Sequence, residues 1–364
     1  MEFVIQPYVE FMMAHKVPYV LAFSTWYILE FILISIFLLV TVLVFVLAER
    51  KLLALFTVRK GPNRVGLGGC LQTVADAIKL MFKEDIVPEK ADGFLFGLAP
   101  IVAFAPVLFV WTLLPFSMSI LPVKSDVGVL FFMAVMLIPV MGILIAGLAS
   151  GNKYSLLASF RSVVQLISYE IPMMFSALAV IVLSGSMSFI DIVTVQYQYG
   201  ILSWYVFPSF LGFLVFFIAS LIAMNRTPFD LHEAESELVA GHTVEYSGMK
   251  FAMFYLSEYA TAFIICAFAV IMFLGGYMPP LPISLADLFS KSEVLYGVVL
   301  TCEQVFWLVL KTALLLFIVI WIRATLPRMR VDKLAESAWK YLLPISVINL
   351  LIVCFIKLGG LYVF

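Results

Sequence analysis

Cysteine, histidine and charge are all scarce in this chain, and each shortage closes a class of function. There are four cysteines, Cys70, Cys266, Cys302 and Cys354, far apart and without a CxxC or Cys/His pairing, and only three histidines. They read as packing residues, and no metal site is expected. No basic tract, P-loop, GxGxxG turn or nucleophile elbow is present, so neither a nucleotide nor a nucleic acid is expected as a ligand. Residues 1–26 mix Glu2, Glu10, His15, Lys16 and two prolines without a compact apolar run, so no cleavable signal is expected. Only 12% of residues are charged, with a net charge of −1, which favours no class of partner.

What fills the chain instead is apolar surface. It is 64% hydrophobic with a mean hydropathy of +1.11, against roughly 45–50% apolar content in soluble domains. The expected class is an all-α polytopic membrane protein. Apolar windows of about 20 residues, enough to cross roughly 30 Å of hydrocarbon, fall at 24–47, 94–115, 127–149, 160–184, 206–224, 250–275, 306–324 and 341–358. Eight crossings put both termini on one side. Lys and Arg are split seventeen in the odd-numbered loops (helix entrances included) against two, Lys124 and Lys291, in the even-numbered ones. The odd loops are therefore expected on the cytoplasmic side, or the matrix side in an organelle, with both termini opposite. Glu30 sits near the outer end of the first window, where it can snorkel to the interface.

The first loop is long. Within it, 71–83 places Gln72, Asp76, Lys79 and Lys83 on one stripe, with Leu71, Val74, Ala75, Ile78, Met81 and Phe82 opposite. Thirteen residues make only about 20 Å of helix, so this piece is expected to lie in the interface, either as a plain anchor or as part of a cavity mouth. The preceding RKGPNRVGLGGC (59–70) is basic and glycine-rich, and breaks regular structure. In the last odd loop, Arg328 and Arg330 with Asp332 serve either positive-side anchoring or docking of a soluble partner or anionic lipid.

Carboxylates then stand out against this background. Six of the 23 acidic residues, Asp230, Glu233, Glu235, Glu237, Glu245 and Glu258, crowd into the 35 positions from Asn225 to Tyr259, and the acidic loop proper covers 225–249. If 229–239 is helical, Asp230, Glu233 and Glu237 share a face, and like charges that close raise one another's pKa. Proton chemistry, a solvated acidic face and a calcium site all remain open on spacing, although D-x-x-E-x-E-x-E lacks the glycine turn of an EF-hand. Two carboxylates lie deeper. Glu258 is eight residues past Lys250, and Glu170 is nine past Arg161, about 12 and 13 Å along a helix. A carboxylate at that depth costs about 2.5–3.5 kcal/mol on insertion scales, so each must face a polar interior, pair with a cation or carry a proton. Lys311, near the middle of its window, is the expected counter-charge for a buried glutamate.

Long strings carry a family resemblance: AERKLLA (48–54), RKGPNRVG (59–66), ADAIKLMFKE (75–84), NKYSLLASFR (152–161), QLISYE (165–170), NRTPFDLHEAESELVAG (225–241), EYSGMKFAMF (245–254), SEY (257–259) and RATLPRMRVDKL (323–334). Together they resemble the quinone-site membrane subunit of respiratory complex I over about Glu49 to Lys340. That family is known as subunit 1 of the mitochondrial enzyme and as the H subunit in bacteria. The resemblance implies a multi-pass subunit of a proton-pumping NADH:quinone oxidoreductase in a bacterial cytoplasmic or mitochondrial inner membrane. Quinone would be the substrate, and flavin and iron–sulfur clusters would reside on partner subunits only. It implies soluble quinone-module partners carrying the terminal cluster, together with antiporter-like and small membrane subunits. It further implies a quinone tunnel near Arg59, Phe229, Asp76 and Lys79. The implied proton path runs through Glu170, Asp230, Glu233, Glu235, Glu237, Glu245 and Glu258, with Arg161 and Arg226 as charge partners. One departure stands out: many relatives carry an acid where this chain has Ala223. Two other readings compete. One is a related ferredoxin-linked plastoquinone reductase or membrane-bound hydrogenase, disfavoured by SEY and GPN. The other is a stand-alone ion or proton transporter, disfavoured by the lack of a repeat between halves.

Overall fold

A computed structural model describes residues 18–120, 125–197, 200–230, 238–280 and 293–360. Every regular element among them is helical. In chain order they are α1 (Tyr19–Phe56), α2 (Gln72–Phe82), α3 (Gly93–Leu113), α4 (Gly128–Met136), α5 (Ile138–Ala149), α6 (Lys153–Ser184), α7 (Phe189–Tyr197), α8 (Phe210–Ala223), α9 (Gly248–Phe273), α10 (Glu293–Thr325), α11 (Val331–Ser337) and α12 (Leu343–Leu358).

Seven helical stretches among the described residues are long and apolar enough to span a bilayer; the expected eighth, at 206–224, is shorter. It is α8, whose fourteen residues make about 21 Å of helix. The window loses its first residues to a turn that ends at Ser209. There Pro208 cannot donate a backbone hydrogen bond, and the Val206 amide donates to the Phe273 carbonyl instead (3.1 Å). At its other end α8 stops before Asn225, which takes a left-handed φ of 53°.

With lipid as solvent, burial sorts the helices differently from a soluble protein. α1 buries Ile34, Leu38, Val42 and Phe45 on one stripe and exposes Ile28, Ile32, Ile36, Val40 and Val44 on another, the two faces of a 3.6-residue period. α9 is central: every residue from Ala262 to Phe273 is buried, as expected of a helix apolar all round. A smaller apolar cluster, in which the Phe96 and Tyr246 rings stack 4.0 Å apart, ties α3 and α5 to the segment entering α9.

Close crossings rest on small residues. A Cβ built on Gly142 of α5 would lie 2.6 Å from the Ala103 backbone nitrogen of α3, whereas one on Gly97 of α3 would meet nothing within 4 Å. Gly142→Val should therefore push α3 and α5 apart at a cost of about 1–3 kcal/mol and lower the melting temperature in detergent. Gly97→Ala, the control, should leave it unchanged or raise it.

Candidate functional site

The charged site is assembled around Arg226, just past the end of α8. Its side chain is about 95% buried, and its guanidinium meets two carboxylates from different helices: Glu49 of α1 at 3.3 Å and Glu258 of α9 at 3.4 Å. The Tyr259 ring lies beneath it, 4.2 Å from the guanidinium carbon. Glu49 also accepts a hydrogen bond from Arg323 of α10. Beyond the end of α10, Arg328 pairs with Asp230 at 3.1 Å. A fork of five donors suits such shared pairing better than an ammonium would. The local backbone is held from α6: the Gln165 amide donates to the carbonyls of Ile222 (2.8 Å) and Phe229 (3.0 Å) and to the Asn225 side chain (3.1 Å).

Glu258 faces two ways. Beside its pairing with Arg226 it lines a cavity of about 60 Å³, shared with Glu170 of α6, Ala223 of α8 and His242 of the short turn Gly241–Thr243. Glu170 is buried and makes no ion pair with a described residue, and its Oε1 has no hydrogen-bond partner among the described residues. A buried carboxyl oxygen in that position requires water or a proton. The two deep glutamates thus open on one largely apolar chamber, and Ala223 forms part of its wall.

The NADH dehydrogenase family profile matches residues 29–354. This chain belongs to the NADH dehydrogenase family. It is 46% identical over 304 residues to the H subunit of the NADH-quinone oxidoreductase of Brevibacillus brevis, covering 84% of this chain and 85% of that one. It is 45% identical over 307 residues to the protein of the same name from Dehalococcoides mccartyi, covering 84% and 80%, and 45% identical over 313 residues to that of Geobacillus kaustophilus, covering 86% and 88%.

In this NADH dehydrogenase family member the other expected residues separate into groups. Asp76 and Lys79 lie on α2, where Asp76 pairs with Arg50 of α1 at 2.5 Å and more loosely with Lys79 at 3.7 Å. The apolar side of α2 is left exposed, with Phe82 at 87% and Met81 at 66%. Arg59 is exposed beyond the end of α1, while Phe229 is buried close in sequence to Arg226. Glu245 accepts from the Asn152 side chain (2.8 Å), and Asn152 also caps α6 by accepting from the Tyr154 amide. Arg161 is half-buried on α6. Glu233, Glu235 and Glu237 lie outside the described residues, so their expected common face with Asp230 is not described. No group of three or more His, Cys, Asp or Glu among the described residues is placed to hold a metal ion.

Lys311 departs from its expected pairing. Its ammonium donates to the carbonyls of Leu274 (2.7 Å), Gly276 (3.0 Å) and Met278 (2.8 Å) and lies 4.5 Å from the Trp204 ring centre, with no carboxylate partner among the described residues. The reason is local. α9 ends at Phe273, and the turn just past that partly negative end brings the carbonyls of Leu274, Gly276 and Met278 to the ammonium.

Glu49 falls inside one of the family strings, yet neither its spacing nor the resemblance assigned it a role. A signal was present: Glu49 continues the buried stripe of Leu38, Val42 and Phe45 by one more turn. A carboxylate in register with a buried face calls for a cation. Glu49→Gln should destabilise the protein by about 3–5 kcal/mol, read as a lowered melting temperature. Adding Arg323→Gln should recover part of that loss, because one unpaired charge is removed.

The Asp76 carboxyl is pushed up by its partial burial, but the hydrogen bond and charge of Arg50, helped by Gln72 and Lys79, outweigh this and hold it below the usual range. A carboxylate lowered in the folded state adds stability above its unfolded pKa of about 3.9 and loses it as pH falls through the folded value. Docking of α2 on α1 should therefore weaken in acid below about pH 4. Amide exchange over Gln72–Phe82, corrected for its intrinsic pH dependence, should rise there in the wild type, whereas Asp76→Asn should be loosened at every pH.

Proposed function

We infer that this chain is the membrane subunit of an NADH–quinone oxidoreductase and that its charge cluster couples quinone reduction to proton movement. One observation carries the reading. A buried arginine joins carboxylates from α1 and α9, and one of those carboxylates opens with Glu170 on a chamber large enough for water. Reducing a quinone takes up two electrons and two protons. Electrons come from clusters on soluble partner subunits, and flavin is likewise held by partners. This chain supplies the membrane wall of the quinone passage and protonatable groups behind it.

The passage begins where α1, α2 and α9 converge, with Asp76, Lys79 and Arg59 near its mouth and Phe229 farther in. The exposed apolar side of α2 gives an isoprenoid-like tail a continuous route from lipid. Inside, Asp230, Glu245 and Glu258 lead toward Glu170, with the acidic segment at 233–237 alongside. A change of charge at the quinone shifts the balance among Glu49, Arg226 and Glu258, because the protonation of each carboxylate depends on the charges in contact with it. Protons leaving the chamber pass to antiporter-like membrane subunits. The basic loops, and this end of the bundle, face the cytoplasm or the mitochondrial matrix, and the termini face the opposite side.

Glu170→Gln and Glu258→Gln, each in the assembled complex in sealed vesicles, test the path. Either change should lower quinone turnover or the protons moved per electron several-fold. Unchanged turnover together with unchanged pumping in both variants would remove these residues from the path. The chain purified alone into liposomes should move no protons, which separates this reading from a stand-alone transporter.

A further inference from the structure

The chamber is lined by one histidine that the path above leaves unused. We propose that His242 is a proton-relay residue which, with water in the chamber, carries protons between Glu258 and Glu170 across the stretch where Ala223 offers none. This rests on the proton-path reading and adds a third carrier to it.

The geometry behind it is specific. Glu170 and Glu258 belong to different helices, α6 and α9, and Ala223, which lines the same chamber, carries no group that can hold a proton. His242 lines the same chamber and is only 3% exposed. Its position is fixed from three directions. The turn Gly241–Thr243 carries it, the Ser155 hydroxyl of α6 donates to its carbonyl at 3.4 Å, and the Phe254 ring of α9 meets its imidazole edge-on, with centroids 5.2 Å apart. An imidazole can accept a proton on one nitrogen and release one from the other, so a single side chain passes charge through without rotating far. Glu258 starts beside the positive Arg226, whereas Glu170 has no cation among the described residues. The proton moves from the Glu258 carboxyl, through water, to one imidazole nitrogen. The other nitrogen then loses a proton through water to Glu170, and His242 returns to its neutral form. Tyr169 and Tyr255 are the other ionisable side chains lining the chamber.

The test uses the assembled complex in sealed vesicles. His242→Phe keeps the ring contact with Phe254 but cannot carry a proton, and His242→Gln keeps hydrogen bonding but cannot take up a charge. Both should lower proton-coupled quinone turnover several-fold and enlarge the solvent deuterium isotope effect, with electron transfer from NADH to a soluble acceptor unchanged. Ala223→Glu placed in the His242→Phe background should restore turnover and shift its pH profile, because a carboxyl in the chamber wall replaces the missing carrier. A native-like His242→Gln variant would overturn the relay, and so would a failure of Ala223→Glu to restore turnover. If both histidine variants behave as wild type while Glu170→Gln and Glu258→Gln are impaired, the relay fails and the path stands. If all four behave as wild type, the path itself fails.

Discussion

A guanidinium cannot remain buried among apolar helices without counter-charge, and the charged end of this protein is arranged to meet that requirement for Arg226. The arginine is contributed by the chain just past α8, and neither neighbouring segment can neutralise it alone. Glu49 reaches it from α1 and Glu258 from α9, while Arg323 of α10 draws on the same Glu49 carboxylate. One group therefore stitches four parts of the sequence together. Removing any partner would leave a buried charge whose cost exceeds that of most packing defects. The same shared arrangement suits coupling, since the charge state of one member is felt at once by the others.

α8 stops at Ala223, and the backbone beyond it turns under Gln165 of α6, whose side-chain amide lies within hydrogen-bond distance of three acceptors of that turn. The turn positions Arg226 and leaves the chamber between α6 and α9 with a small residue in its wall. Irregular backbone at such a depth is tolerated only where protein or a polar cavity satisfies it, and here the Gln165 amide meets the carbonyls of Ile222 and Phe229.

Lysines at the other end of the bundle meet a different need. Lys311 donates to carbonyls of the turn just past the end of α9, and Lys357 of α12 donates to the Leu183 carbonyl at the end of α6 (2.6 Å). Two helices thus have their partly negative ends neutralised by side chains from other helices. That accounts for two cations falling within apolar windows, outside the loops where most Lys and Arg lie. It also explains why pairing Lys311 with a glutamate, a sound expectation from depth alone, was displaced by carbonyls that lay closer.

Composition and periodicity were enough to establish an all-helical membrane protein, to place α2 as an amphipathic helix beside the first span, and to mark Glu170 and Glu258 as carboxylates needing an explanation. Those features are local: apolar runs, a 3.6-residue stripe and depth counted along a helix. The long strings carried the family. What the sequence could not decide was partnership. Glu49 and Arg226 are 177 positions apart, and Glu49 and Arg323 are 274. No spacing rule links residues on different helices; only the packing of α1, α9 and α10 brings them together. In the same way, that Glu170, Ala223, His242 and Glu258 face one chamber is a property of how α6, α8 and α9 cross, because a cavity belongs to the space between helices and to none of their sequences.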